Sequence, residues 1–249
     1  MRRSAVLLTV ATLVAAFAAN AQTQIGFRLL KLDGRNVVWT GKPRATAITY
    51  AFVKARTDTR DAINCGSLGP LDPLLARSHV AETDFRVETK AAFGMWEAAA
   101  NLTFTEISDP ARADILIGAQ LQPRGRAFTN VAYKPQASDV SGIERSLICL
   151  NPEMRWKVGF DGNLTAYDIR YTMAHEIGHA IGLDHPAGSD QLMHYRYEER
   201  FRTLQRGDVE GAVLLYGARQ APYPAAPASE PALDPLLAKA DRAAATQAP

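Results

Sequence analysis

Eleven residues, His175-Glu176-Ile177-Gly178-His179-Ala180-Ile181-Gly182-Leu183-Asp184-His185, constrain this chain more than any other stretch. On an α-helix, positions i and i+4 lie about 40° apart around the axis and about 6 Å apart along it. His175 and His179 therefore project from one face and can close on one metal ion. Glu176 sits beside that face, within reach of a water at the metal without being a ligand. His185 is six residues past His179, and on a continuing helix it would stand roughly 120° off the face. The helix must stop before it. Gly182 is placed to end it, because glycine adopts the left-handed C-terminal conformation with no Cβ penalty. Three neutral imidazoles that leave a fourth position open are the ligand set of a catalytic zinc. A helix with two surface histidines would leave Glu176, Gly182 and His185 without a purpose.

The ends of the chain have a different composition. Arg2-Arg3, an apolar run from Ala5 to Ala19 and then Ala19-Asn20-Ala21 read as a signal peptide over residues 1–21, removed after Ala21. The apolar run is too short to span a bilayer. Its removal takes two of the 28 basic residues and none of the 26 acidic ones, leaving a chain with no net charge. Nothing in that balance points to charge-driven binding to nucleic acid or to an anionic membrane. An exported monomer is expected, extracellular or periplasmic, with no stable membrane association. In such a compartment the only two cysteines, Cys65 and Cys149, are expected to pair, the alternatives being two free thiols or a metal ligand. After Gly217 the chain becomes Pro/Ala-rich and poor in aromatics, which predicts a disordered tail over 219–249 behind a single domain over 22–218.

Within the domain, alternation predicts strands at 47–53, 102–107, 114–118, 126–133 and 146–150. Residues 61–80, with Gly66, Gly69, Pro70 and Pro73, read as a loop. Phe85, Ala92, Trp96 and Ala99 form one stripe of a helix over 81–101, with Trp96 as a core anchor. The helix carrying the histidines is predicted to begin near 163–165 and a last helix to cover 207–216. This order suggests α/β or α+β layering, with the first helix crossing over between strands.

The eleven-residue motif and the methionine downstream resemble the metzincin signature. Within that clan the chain looks like a matrixin, of the matrix-metalloproteinase family, and like a compact bacterial-type member. Three stretches carry this strongly: 174–185, the turn Leu192-Met193-His194-Tyr195-Arg196-Tyr197, and the last helix region 204–217. Weaker similarity reaches 91–97, 102–104 and 113–117. The resemblance implies a zincin catalytic domain: a twisted, mostly parallel five-stranded sheet with three helices, and an antiparallel edge strand that pairs with extended substrate. It implies that His175, His179 and His185 bind Zn²⁺, that Glu176 is the general base and that Met193 forms an apolar floor beneath the histidines. Tyr197 falls where matrixins place a tyrosine in the wall of the specificity pocket. Met193-His194-Tyr195 instead resembles the astacin turn, whose tyrosine approaches the zinc, so the role of Tyr195 stays open. Asp208 matches the carboxylate that ties the last helix to the Met-turn, while Gly207 stands where a second carboxylate would be. Residues 114–163 hold no histidine and only three aspartates. No structural zinc is carried over, and calcium is left open. Cys65-Gly66 resembles the latency cysteine of the family but follows the first strand. The implied function is a secreted zinc endopeptidase acting on polypeptides. The alternative is a zinc-bearing binding or adhesion module without turnover, which would have no use for Glu176.

Overall fold

The computed structural model describes residues 26–40, 46–59, 62–136, 138–188 and 190–219. The expected signal peptide and the tail beyond Arg219 lie outside the described residues. Five strands form the centre of the fold: β1 (Thr46–Phe52), β2 (Leu102–Glu106), β3 (Ile115–Gln120), β4 (Ala127–Lys134) and β5 (Val140–Leu150). Their order is β2-β1-β3-β5-β4, with the first four parallel and β4 antiparallel to β5 at the edge. Shorter pieces extend the same sheet, among them Arg35–Val38, which runs parallel to the start of β5. The fold is thus the mixed α/β arrangement that the sequence implied.

Strand β3 is buried along its whole length, as a central parallel strand covered on both faces should be. Alternation divides its side chains between two cores. Ile115 and Ile117 join Ile48, Tyr50, Phe93, Trp96 and Ile177 on the helical side. Leu116 joins Ala51, Val53, Leu68 and Leu147 on the other. Cys65 and Cys149 are paired as a disulfide within this second core, their Cα atoms 6.0 Å apart, tying the segment before α1 to the end of β5. Among the described residues, no helix is long and apolar enough to cross a membrane.

The described residues form four α-helices: α1 (Asp72–Ser78), α2 (Glu82–Ala99), α3 (Ile169–Ala180) and α4 (Arg206–Tyr216). Helix α1 forms within the segment 61–80 whose glycines and prolines predict a loop. There Pro73 pre-sets the first helical turn, Leu74 is fully buried, and His79 closes the helix at φ 53°. The proline was a helix-starting signal rather than a loop signal. Helix α3 also starts later than expected. Gly159 and Gly162 turn the chain at positive φ, Ala166–Asp168 pairs with Arg155–Lys157, and Asp168 then caps α3 by accepting from the Tyr171 N–H at 2.8 Å.

Candidate metal centre and cleft

Ten of the twelve residues of α3 are buried. A helix of this kind runs through a core rather than along a surface. The Trp96 indole donates to the Ala174 carbonyl at 2.9 Å, so the expected core anchor also holds the helix by a hydrogen bond. At its end, Gly182 takes φ 100°, and a Cβ there would overlap the Val37 carbonyl oxygen. Its own carbonyl accepts from Leu30 N–H at 2.8 Å. The chain then reverses through Leu183–Asp184, which pairs antiparallel with Arg28–Leu29.

That reversal returns His185 to the face of the helix. Its Nε2 lies 3.1 Å from Nε2 of both His175 and His179, and the latter two are 3.2 Å apart. Three nitrogens bound to one tetrahedral zinc at about 2.0–2.1 Å would sit about 3.3 Å from one another. The outer ring nitrogens support the same assignment. His175 Nδ1 lies 3.0 Å from the Leu192 carbonyl and His179 Nδ1 lies 2.8 Å from the Leu183 carbonyl. A carbonyl can only accept, so each Nδ1 carries the proton and each Nε2 presents a lone pair inward. Burial first, then the neighbouring His179, holds His175 well below the usual histidine range, and His185 is lowered to about 4 by the same causes. Burial likewise lowers His179. Neutral rings in this orientation fit a zinc ion.

The turn beneath the histidines is held from α4. Asp208 is buried and accepts from the N–H groups of Leu192 (2.9 Å), Met193 (3.1 Å) and Gln205 (2.8 Å). Because the Leu192 carbonyl faces His175, Asp208 is two links from a candidate ligand. Met193 packs under α3, where a Cβ at Gly178 would overlap its Sδ.

Glu176 is 3% exposed. Thr129 Oγ1, on β4, lies 2.8 Å from its Oε2 and 2.9 Å from its backbone carbonyl, with one proton to give to either. Burial raises the proton affinity of Glu176, against the opposing hydrogen bond from Thr129 and the charge of Arg126. A cleft of about 440 Å³ opens here, lined by Arg126, Phe128 and Thr129 on one side and by the three histidines and Tyr195 on the other.

The two tyrosines are placed differently. Tyr195 is half exposed, with its ring centroid 6.4 Å from that of His185. Tyr197 is anchored by its hydroxyl, which donates to Glu199 and accepts from Asp168 N–H, both at 2.9 Å, and its ring packs edge-on against Tyr167 and Tyr171. Cys65 lies on the far face of the sheet, bonded to Cys149, which removes the latency reading. Arg126 and Thr129 were missed from sequence. They are ordinary residues at the start of an expected strand, and nothing local marks them.

Residues 74–217 match the family model described as Matrixin. Metalloendoproteinase 4-MMP of Arabidopsis thaliana is 30% identical over 190 residues, covering 73% of this chain and 50% of that protein. Karilysin of Tannerella forsythia is 26% identical over 149 residues, covering 56% and 30% respectively. Stromelysin-2 of Rattus norvegicus is 31% identical over 142 residues, covering 51% and 27%. The chain spans half or less of the length of these relatives.

Proposed function

The chain belongs to the matrixin family, and from that premise we propose that it is a secreted zinc-dependent endopeptidase acting on extended polypeptides. The observation that carries this reading is the convergence of three Nε2 atoms at 3.1–3.2 Å beside a buried carboxylate that faces a cleft. His175, His179 and His185 would hold the zinc. When bound, zinc polarises a carbonyl and lowers the pKa of a water toward about 7. Glu176 takes the proton from the attacking water and delivers it to the leaving amine. Its raised proton affinity suits a carboxylate that must carry a proton between two partners. Thr129 steers Oε2 by hydrogen bonding. Among the described residues strand β4 pairs with β5 along one side only, and its other edge would hold an extended peptide by backbone hydrogen bonds. Met193 supports the histidine rings from below, Tyr195 forms part of the cleft wall, and Tyr197 backs that wall through its contact with Arg126. Export is supported by the signal-peptide pattern and by the cysteine pair.

Two substitutions test this reading against a zinc-binding module without turnover. Glu176→Ala should keep about one zinc per chain and near-native stability while losing about 10²–10⁴-fold in turnover. His185→Ala should lose metal as well as activity. Both are compared with the unaltered chain on casein and on quenched peptides, with and without a chelator. If the folded, zinc-loaded chain cleaves nothing across a broad peptide library, the binding module replaces the enzyme.

A further inference from the structure

Among the described residues, Arg126 lines the cleft without an ion-pair partner. Its guanidinium carbon lies 5.3 Å from the ring centroid of Tyr167 and 5.5 Å from that of Tyr197. The same side chain lines the cleft that holds the three histidines and Glu176. Its Nε is sealed from solvent and bonded to nothing. Of the two carboxylates in the cleft, Asp184 pairs with Arg28, and Glu176 feels the charge of Arg126 but takes its hydrogen bond from Thr129. Asp168 takes Arg202 and caps α3, Glu88 takes Arg170 and Arg202, and Glu199 takes Lys157 and the Tyr197 hydroxyl. Among the described residues no ion pair is left for Arg126. A guanidinium set against two tyrosine rings that meet edge to face is restrained in position, and its planar fork matches a carboxylate. A charge drawn partly out of water without a partner is costly, and a ligand carboxylate would relieve that cost.

We propose that Arg126, set against Tyr167 and Tyr197, recognises a carboxylate of the bound polypeptide and makes the cleft selective for acidic substrates. The inference rests on the peptidase reading above. The carboxylate can come from an Asp or Glu side chain next to the cleaved bond or from the C-terminus of a short peptide. Amidated peptides with one internal Glu, against amidated Leu and Lys counterparts, test the first source. Neutral peptides with free and amidated C-termini test the second.

Cleavage of each peptide is measured for the unaltered chain and for Arg126→Gln and Arg126→Leu, each checked for folding by its melting curve. Binding of the same peptides is measured on zinc-loaded Glu176→Ala, with and without the Arg126 change. A carboxylate peptide should be favoured by about 10–100-fold in kcat/KM and in binding, as a charge-assisted hydrogen bond implies. The preference should appear mostly in KM, weaken with salt and vanish in both Arg126 variants. Arg126→Glu should turn the preference toward the Lys peptide, which a merely structural arginine would not do. Equal cleavage and equal binding of acidic and neutral peptides overturns the proposal and leaves the peptidase reading intact. If no peptide is cleaved, the peptidase reading fails, and the binding comparison alone then decides the role of Arg126.

Discussion

Gly178 faces Met193 with no room for a methyl group between them. A Cβ at position 178 would overlap Met193 Sδ and come 2.9 Å from Trp96 Cζ2. The glycine lies mid-helix, where it costs about 1 kcal/mol relative to alanine, so helix propensity alone favours substitution. Overpacking against a fixed indole opposes it by about 1–3 kcal/mol. Gly178→Ala should therefore be neutral to destabilising by about 2 kcal/mol. Zinc retention should fall only as far as Met193 carries with it the turn that faces His175, since Sδ and Cε end a flexible side chain that can rotate aside. A chemical melt and a metal titration check both.

Asp208 accepts three backbone N–H groups, two of them from the turn under the histidines. Asn would present an amide N–H₂ where one of those acceptor oxygens stands. Asp208→Asn should destabilise by about 2–3 kcal/mol, the scale of a hydrogen bond to a charged group. Zinc affinity should fall by about 10–100-fold, as changes to the groups orienting metal ligands typically do. An Asp208→Asn chain with unaltered melting and zinc binding would show that the link from α4 to His175 is passive.

The Cys65–Cys149 bond closes a segment with a sequence separation of 84. Chain-entropy reasoning puts the upper limit for a loop of this length at about 4–5 kcal/mol, and disulfides typically contribute about 2–4 kcal/mol. Reduction should lower the unfolding midpoint accordingly without removing zinc, since the bond lies across the sheet from the histidines. Intact mass under alkylation, before and after reduction, verifies the pairing. Two thiols freely alkylated in the unreduced folded protein would contradict it.

Lys157 holds the loop ahead of α3, donating to Asp161, to Glu199 and to the Asn163 carbonyl. The hydrogen bond from Lys157 lowers the Asp161 carboxyl below its ordinary value of 3.8. A lowered folded-state pKa contributes stability that is fully present above 3.8 and is lost as pH falls through the lowered value. Lys157→Met should therefore lower the Tm by a few degrees at neutral pH. The gap to the unaltered chain should shrink below pH 3.8. A gap that stays constant with pH would assign the loss to packing of the lysine stem.

The Pro/Ala-rich tail is predicted to be dispensable, but the cut must follow Arg219. Asn101 N–H donates to the Gly217 carbonyl at 3.0 Å, Ala218 bridges Ala100, and Arg219 donates to the Glu97 carbonyl. A chain ending at Arg219 should match the full chain in Tm and peptidase rate. One ending at Tyr216 should melt earlier.

What the sequence determined by itself is what local chemistry can encode. The i, i+4 spacing put His175 and His179 on one helix face. Gly182 stopped the helix, and alternation located the five central strands. Each of these follows from neighbours within a few residues, so pattern alone was sufficient. The start of α3 was misread because its boundary depends on Asp168 capping the Tyr171 N–H after a turn made by Gly159 and Gly162. Helix α1 was hidden because Pro73 serves loops and first helical turns alike. Tertiary structure alone decided the rest. Thr129 meets Glu176 across 47 residues of sequence, and Arg126 meets Tyr197 across a longer stretch, because strand β4 lies against α3 at the sheet edge. Those meetings depend on strand order and on the direction in which each side chain leaves its backbone, and neither is written in the spacing of residues along the chain.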